Sequence, residues 1–146
     1  DMVSRGLGDV YKRQDGEHGQ KLKQVDNTFD VLKKTLGNTF KNTLIITLTE
    51  FGRTLVQNNG YGTEHGYGTS ILLGGGLVKK SQVYADWPGI KNKNLFEGRD
   101  LNSTLDARSV YCSAMSVCFD TDFQLLNTEV FPDKKLNDLT EILFKV

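Results

Sequence analysis

Cysteine, histidine and long apolar runs are all scarce in this 146-residue chain. Its two cysteines, Cys112 and Cys118, are too few for a disulfide framework or a cysteine-rich metal motif. On one helix they would lie on different faces, and they do not identify a cellular compartment. No run approaches the ~18 apolar residues that a membrane-spanning helix needs, so no membrane span is expected. The two histidines, His18 and His65, are the only imidazole groups that a site in this chain could use.

The charge of the chain is balanced, with 18 basic and 18 acidic side chains. A formal net charge of zero gives no electrostatic reason to expect nucleic acid or an anionic membrane as a partner. Hydrophobic residues make up 38% of the sequence, which is typical of a globular protein of about one domain. Composition therefore excludes some classes of protein but does not identify a function.

A helix followed by a strand is the clearest structural prediction. Apolar residues recur at spacings of three and four from Leu22 to Leu36, which places them on one helical face. Gly37 can then take the left-handed conformation that ends a helix. The apolar run at Thr43–Thr49 predicts a strand buried on both faces, as in the sheets of α/β proteins. Together they would form half of a β-α-β unit.

The polar residues that follow this strand form the candidate site. Glu50 ends the apolar run, Arg53 comes three residues later, and a loop rich in glycine and asparagine leads to Glu64 and His65. In open α/β sheets, ligands bind beyond the carboxyl ends of the strands. Carboxylate and imidazole groups are metal ligands, and the planar fork of arginine suits a sulfate or phosphate oxygen. In the structural alternative, Glu50 caps a helix or pairs with Arg53, and His65 is a hydrogen-bonded loop residue.

Shorter elements are predicted in the middle of the chain. A strand at Ser70–Leu73 ends at three consecutive glycines, and Gln82–Tyr84 is a candidate edge strand. A turn is expected at Asp86–Gly89, which contains both proline and glycine. Arg99 and Asp100 are interpreted as a structural ion pair.

Two helices and an apolar patch are predicted towards the C-terminus. Thr104 or Asp106 can cap a helix that runs to about Phe119, and a second short helix begins at Asp122. The inward-facing residues of the longer helix are predicted to be Val110, Ala114, Val117 and Cys118. The last apolar patch, between Leu136 and Phe144, could be helical or extended.

Six short motifs occur in an order and spacing that resemble one protein family. They are Thr49–Thr54, Gly62–Gly66, Gly74–Gly76, Asp86–Gly89, Phe96–Leu101 and Val130–Asp133. The chain resembles the C-terminal part of a bacterial family of unknown function, the domain-of-unknown-function family numbered 1501. The resemblance covers roughly residues 15–135.

This family in turn resembles the alkaline phosphatase and sulfatase superfamily. The resemblance implies an α/β fold, in which residues 15–146 form part of an alkaline-phosphatase-like (sulfatase-like) sheet with flanking helices. The N-terminal half of that domain, with the nucleophile and the first metal carboxylate, would be missing here. The resemblance also implies a divalent metal ion (zinc, manganese, iron or calcium) and an ester substrate, either a small molecule or a polymer. Because family members usually carry a twin-arginine export signal, a periplasmic or secreted location is implied.

Two departures from the family pattern affect the implied metal site. The family usually has aspartate where this chain has Glu64, which adds a methylene group before the carboxylate. It also has an Asp-Thr-His motif near His18, whereas Gly16 here takes the place of the aspartate, between Asp15 and Glu17. The candidate metal ligands are Glu50, Glu64, His65, His18 and Asp15, and the candidate anion-binding residue is Arg53.

Three functions remain open from the sequence. The first is an exported, metal-dependent hydrolase of phosphate or sulfate esters. The second is a non-catalytic periplasmic or surface protein on the same fold, with a degenerate site that binds a ligand or partner. The third is a metal site with a purely structural role. Glutamate at position 64 favours the second slightly.

Residues 1–14 are interpreted as foreign to the fold. Their sequence, DMVSRGLGDVYKRQ, resembles a peptide that recurs at the ends of translated sequence assemblies, where adapter sequence is read as protein. The alternative is a disordered basic N-terminal tail. In both cases these residues lack an apolar stripe and are expected to pack against nothing.

Deletion of residues 1–14 should therefore leave the melting temperature of the protein within experimental error. Circular dichroism at increasing temperature, on matched samples with and without these residues, measures this directly. A loss of several degrees would show that the segment belongs to the fold.

Overall fold

The computed structural model describes residues 17–59 and 62–146, with the side chains of the first helix described from Gly19 onward. This part of the chain is mixed α/β, with four α-helices and two antiparallel two-stranded sheets. The helices are α1 (Glu17–Leu36), α2 (Ala107–Phe119), α3 (Phe123–Val130) and α4 (Thr140–Leu143). The strands are β1 (Ile45–Ile46), β2 (Gly52–Arg53), β3 (His65–Gly66) and β4 (Leu73–Gly74).

The chain divides into two compact units. The hairpin unit comprises the described part of 1–36 together with 48–70 and 87–103, and it contains the β2–β3 pair. The helical unit comprises 37–47, 71–86 and 104–146, and it contains the β1–β4 pair and helices α2, α3 and α4. None of the helices in the described ranges is long and apolar enough to cross a bilayer.

Helix α1 confirms the helix that was predicted from the apolar spacing between Leu22 and Leu36. It ends at Leu36, and Gly37 follows with a positive φ of 51°, a conformation that glycine adopts without steric cost. Lys33 and Lys34 lie in the last turn, where positive charge interacts favourably with the helix dipole.

The strand predicted at Thr43–Thr49 is wrong in its length and burial. Strand β1 contains only Ile45 and Ile46, both half-buried, and Leu48 is 74% exposed. β1 pairs with β4 in antiparallel register, so that Ile45 lies opposite Gly74. The glycine turn after β4 packs closely against the residues before β1, because a Cβ atom on Gly75 would overlap the backbone of Thr43. After β4, the N–H groups of Gly76 and Leu77 donate to the carbonyls of Phe40 and Thr43, which precede β1.

The predictions for the neighbouring segments have mixed outcomes. The strand expected at Ser70–Leu73 is shifted, since β4 begins at Leu73. Leu72, which precedes β4, is bonded to Thr47 by two hydrogen bonds. The Thr47 N–H donates to the Leu72 carbonyl, and the Thr47 hydroxyl accepts from the Leu72 N–H. The edge strand expected at Gln82–Tyr84 is wrong, as this segment has no regular structure and is exposed.

Aspartate caps begin both longer helices of the helical unit, as predicted. The Asp106 carboxylate accepts a 3.0 Å hydrogen bond from the Arg108 N–H at the start of α2. The Arg108 guanidinium also pairs with this carboxylate and lowers the pKa of Asp106. The Asp122 carboxylate accepts from the Leu125 N–H at 2.8 Å and begins α3.

The core of the helical unit forms between α2 and the C-terminal residues. Its main cluster consists of Val110, Ala114, Leu139, Leu143 and Phe144. The prediction that Cys118 faces inward is wrong, because Cys118 is exposed and Cys112 is buried. Cys112 lies against α3, with its Sγ 3.7 Å from the Phe123 carbonyl oxygen, and burial raises the pKa of its thiol.

Buried polar side chains attach the C-terminal segment to the helices. The hydroxyls of Ser109 and Ser113 accept hydrogen bonds from the N–H groups of Asn137 and Leu139. Asn127 on α3 accepts from the Leu136 N–H, and it donates to two carbonyls that follow α3. The segment between α3 and α4 has no regular structure, so these side chains supply hydrogen-bond partners for its backbone N–H and carbonyl groups.

Phe144→Ala should lower the free energy of unfolding by about 3–5 kcal/mol, because it leaves a large cavity in this core. Phe144 is completely buried, whereas Val146 is exposed and serves as the matched control. Urea unfolding of Phe144→Ala and Val146→Ala measures the difference. Equal stabilities would contradict the assignment of Phe144 to the core.

Candidate functional site

Strands β2 and β3 form a hairpin that brings two separate sequence motifs together. Gly52 lies opposite Gly66, and Arg53 lies opposite His65. Thr54 and Glu64 extend the pairing, because the Thr54 N–H donates to the Glu64 carbonyl at 3.1 Å. The Glu64 N–H also donates to the Thr54 hydroxyl at 3.1 Å. The pairing places the guanidinium-bearing and imidazole-bearing residues side by side.

Asn58 folds the loop between these strands. Its N–H donates to the Gly62 carbonyl at 2.9 Å, and its side-chain oxygen accepts from the Gly62 N–H at 2.8 Å. Its side-chain amide donates to a carboxylate oxygen of Glu64 at 2.6 Å. Sequence reasoning missed this role of Asn58, although asparagine in a glycine-containing loop is typical of such side-chain-to-backbone turns.

Glycines allow the backbone segments around the hairpin to approach closely. A Cβ atom on Gly52 would overlap the carbonyl group of Gly68, and one on Gly66 would overlap the backbone of Arg53. A Cβ atom on Gly68 would stand 2.6 Å from the Leu101 carbonyl oxygen, which accepts the Gly68 N–H at 2.9 Å. A larger residue at any of these positions would force the segments apart.

A tight turn at Phe96–Asp100 lies against the hairpin. Within this turn Glu97 and Gly98 both have positive φ, and Asp100 forms an isolated bridge with Thr54. The Asp100 carboxylate is buried and accepts two 2.9 Å hydrogen bonds from the Arg99 guanidinium. This pairing raises the pKa of Arg99. The predicted structural ion pair is confirmed.

Two pairs of stacked rings lie in the hairpin unit. The His65 imidazole stacks on the Phe51 ring, with 4.5 Å between centroids and 14° between planes. The Tyr67 ring stacks on Phe96 at 4.1 Å and 17°. His65 is thus oriented by an aromatic neighbour and remains exposed.

The structure brings some of the candidate site residues together and separates others. Arg53 and His65 form a cross-strand pair, and Glu64 bonds to Asn58. Glu50 is exposed, two residues before β2. Asp15 and the side chain of His18 lie outside the described residues. Within 17–59 and 62–146, no three side chains of histidine, cysteine, aspartate or glutamate are grouped so that they could hold a metal ion.

The Arg53–His65 pair presents nitrogen donors of the kind that oxyanion sites use. The Arg53 side chain is exposed, and one of its terminal nitrogens donates a long 3.4 Å hydrogen bond to the Thr63 carbonyl. Arginine presents several donors in one plane, which matches two oxygens of a sulfate or phosphate group. The neighbouring imidazole provides a further nitrogen donor or a metal ligand.

Gly66→Ala should disrupt the hairpin, because the added methyl group would collide with the backbone of Arg53. We expect a lower melting temperature and altered NMR shifts for the His65 ring, whose position depends on the pairing. Gly98→Asn is the control, since nothing lies within 4 Å of a Cβ at Gly98 and asparagine tolerates positive φ. A normal His65 spectrum in Gly66→Ala would contradict this account.

Comparison with known proteins identifies the family of the chain. A family model described as a protein of unknown function (DUF1501) matches residues 5–117. The matched range contains the five motifs from Thr49 to Leu101, begins earlier than the resemblance predicted, and ends before the motif at Val130–Asp133. No curated protein and no solved structure matches the chain. Because the family model covers well over half of the sequence, the chain belongs to the DUF1501 family.

Proposed function

We propose that this chain is part of an exported, metal-dependent hydrolase of phosphate or sulfate esters with an alkaline-phosphatase-like fold. The observation that carries this proposal is the cross-strand pair of Arg53 and His65. A guanidinium that suits an anionic ester group and an imidazole that suits a metal ion lie side by side, and metal-assisted ester hydrolysis could use both. The family's resemblance to the alkaline phosphatase and sulfatase superfamily supports the same reaction and a periplasmic or secreted location.

Arg53 would bind the substrate through the non-bridging oxygens of its ester group. The guanidinium is exposed on β2, so a ligand can reach it without displacing a buried residue. Such contacts strengthen as negative charge accumulates in the transition state, and they therefore contribute to the rate as well as to binding.

The residues present fit a metal site in part. The exposed imidazole of His65 and the exposed carboxylate of Glu50 are suitable donors, but an ion of the zinc type takes three or four protein ligands. One carboxylate oxygen of Glu64 already accepts a hydrogen bond from Asn58 within the loop. Asp15 and His18 are the remaining candidates in this chain. When bound, zinc, manganese, iron or calcium would polarise the ester oxygen.

Phe51 has a supporting role in this proposal. Its ring stacks on His65 and favours imidazole orientations parallel to the Phe51 ring. Preorganised donors lose less free energy of reorganisation during the reaction than mobile ones.

His65→Ala and Arg53→Gln in the full-length protein test the proposal. His65→Ala should remove most of the bound metal, measured by mass spectrometry of the purified protein. Arg53→Gln should keep the metal and lower kcat/KM for nitrophenyl phosphate or nitrophenyl sulfate by about 100-fold, because it removes a transition-state donor. Lys41→Ala, an exposed residue of the helical unit, is the control and should change neither quantity.

Metal content tests whether His65 is a metal ligand, and kcat/KM for the nitrophenyl esters tests whether the protein is a hydrolase. Metal content that survives His65→Ala would exclude His65 as a ligand. A protein that keeps its metal but hydrolyses no phosphate or sulfate ester would favour a structural metal site.

A non-catalytic binding protein on the same fold is the second candidate. The hydrogen bond between Glu64 and Asn58 favours it, because this carboxylate already has a structural partner within the loop. In that case the unchanged protein would bind inorganic sulfate or phosphate in an Arg53-dependent manner and contain no metal.

A further inference from the structure

We draw no further inference here: the strongest candidate, the apolar face that Leu22, Val25 and Phe29 form on helix α1, is exposed at its first two residues and half-buried at the third, and nothing in the part of the chain that the structure describes shows what covers it.

Discussion

Close backbone contact at glycine positions is the constraint on which the hairpin unit depends. Gly52, Gly66 and Gly68 each occupy a place where a Cβ atom would overlap neighbouring backbone. The contact at Gly66 lets β3 lie close against β2, and the pairing places Arg53 beside His65. The geometry of the candidate site therefore follows from residues that have no side chain to contribute.

Helices could be predicted from the sequence because their signals are local. Apolar spacing defined α1, and the capping aspartates Asp106 and Asp122 defined the starts of α2 and α3. Strands were predicted less well, since pairing depends on residues far apart in the chain. The apolar run around β1 indicated an extended segment but not its antiparallel partner β4, which lies almost thirty residues later in the chain.

The candidate site could be predicted in its residue types but not in its arrangement. The motifs identified Arg53, Glu64 and His65, yet nothing in their spacing showed that Arg53 and His65 lie opposite each other. The attachment of Glu64 to Asn58 also depends on the fold of the loop. The stacking of Phe51 on His65 follows from strand register, which a single sequence does not specify.

The shortness of the β2–β3 pairing has a consequence for the motions of the hairpin. Each strand contributes two residues to the ladder, so few backbone hydrogen bonds hold it closed. Segments with few protected amides open locally at a small fraction of the global unfolding free energy. The amide protons of this hairpin should therefore exchange with solvent well before those of α2, and a bound ligand that bridges both strands would slow that exchange.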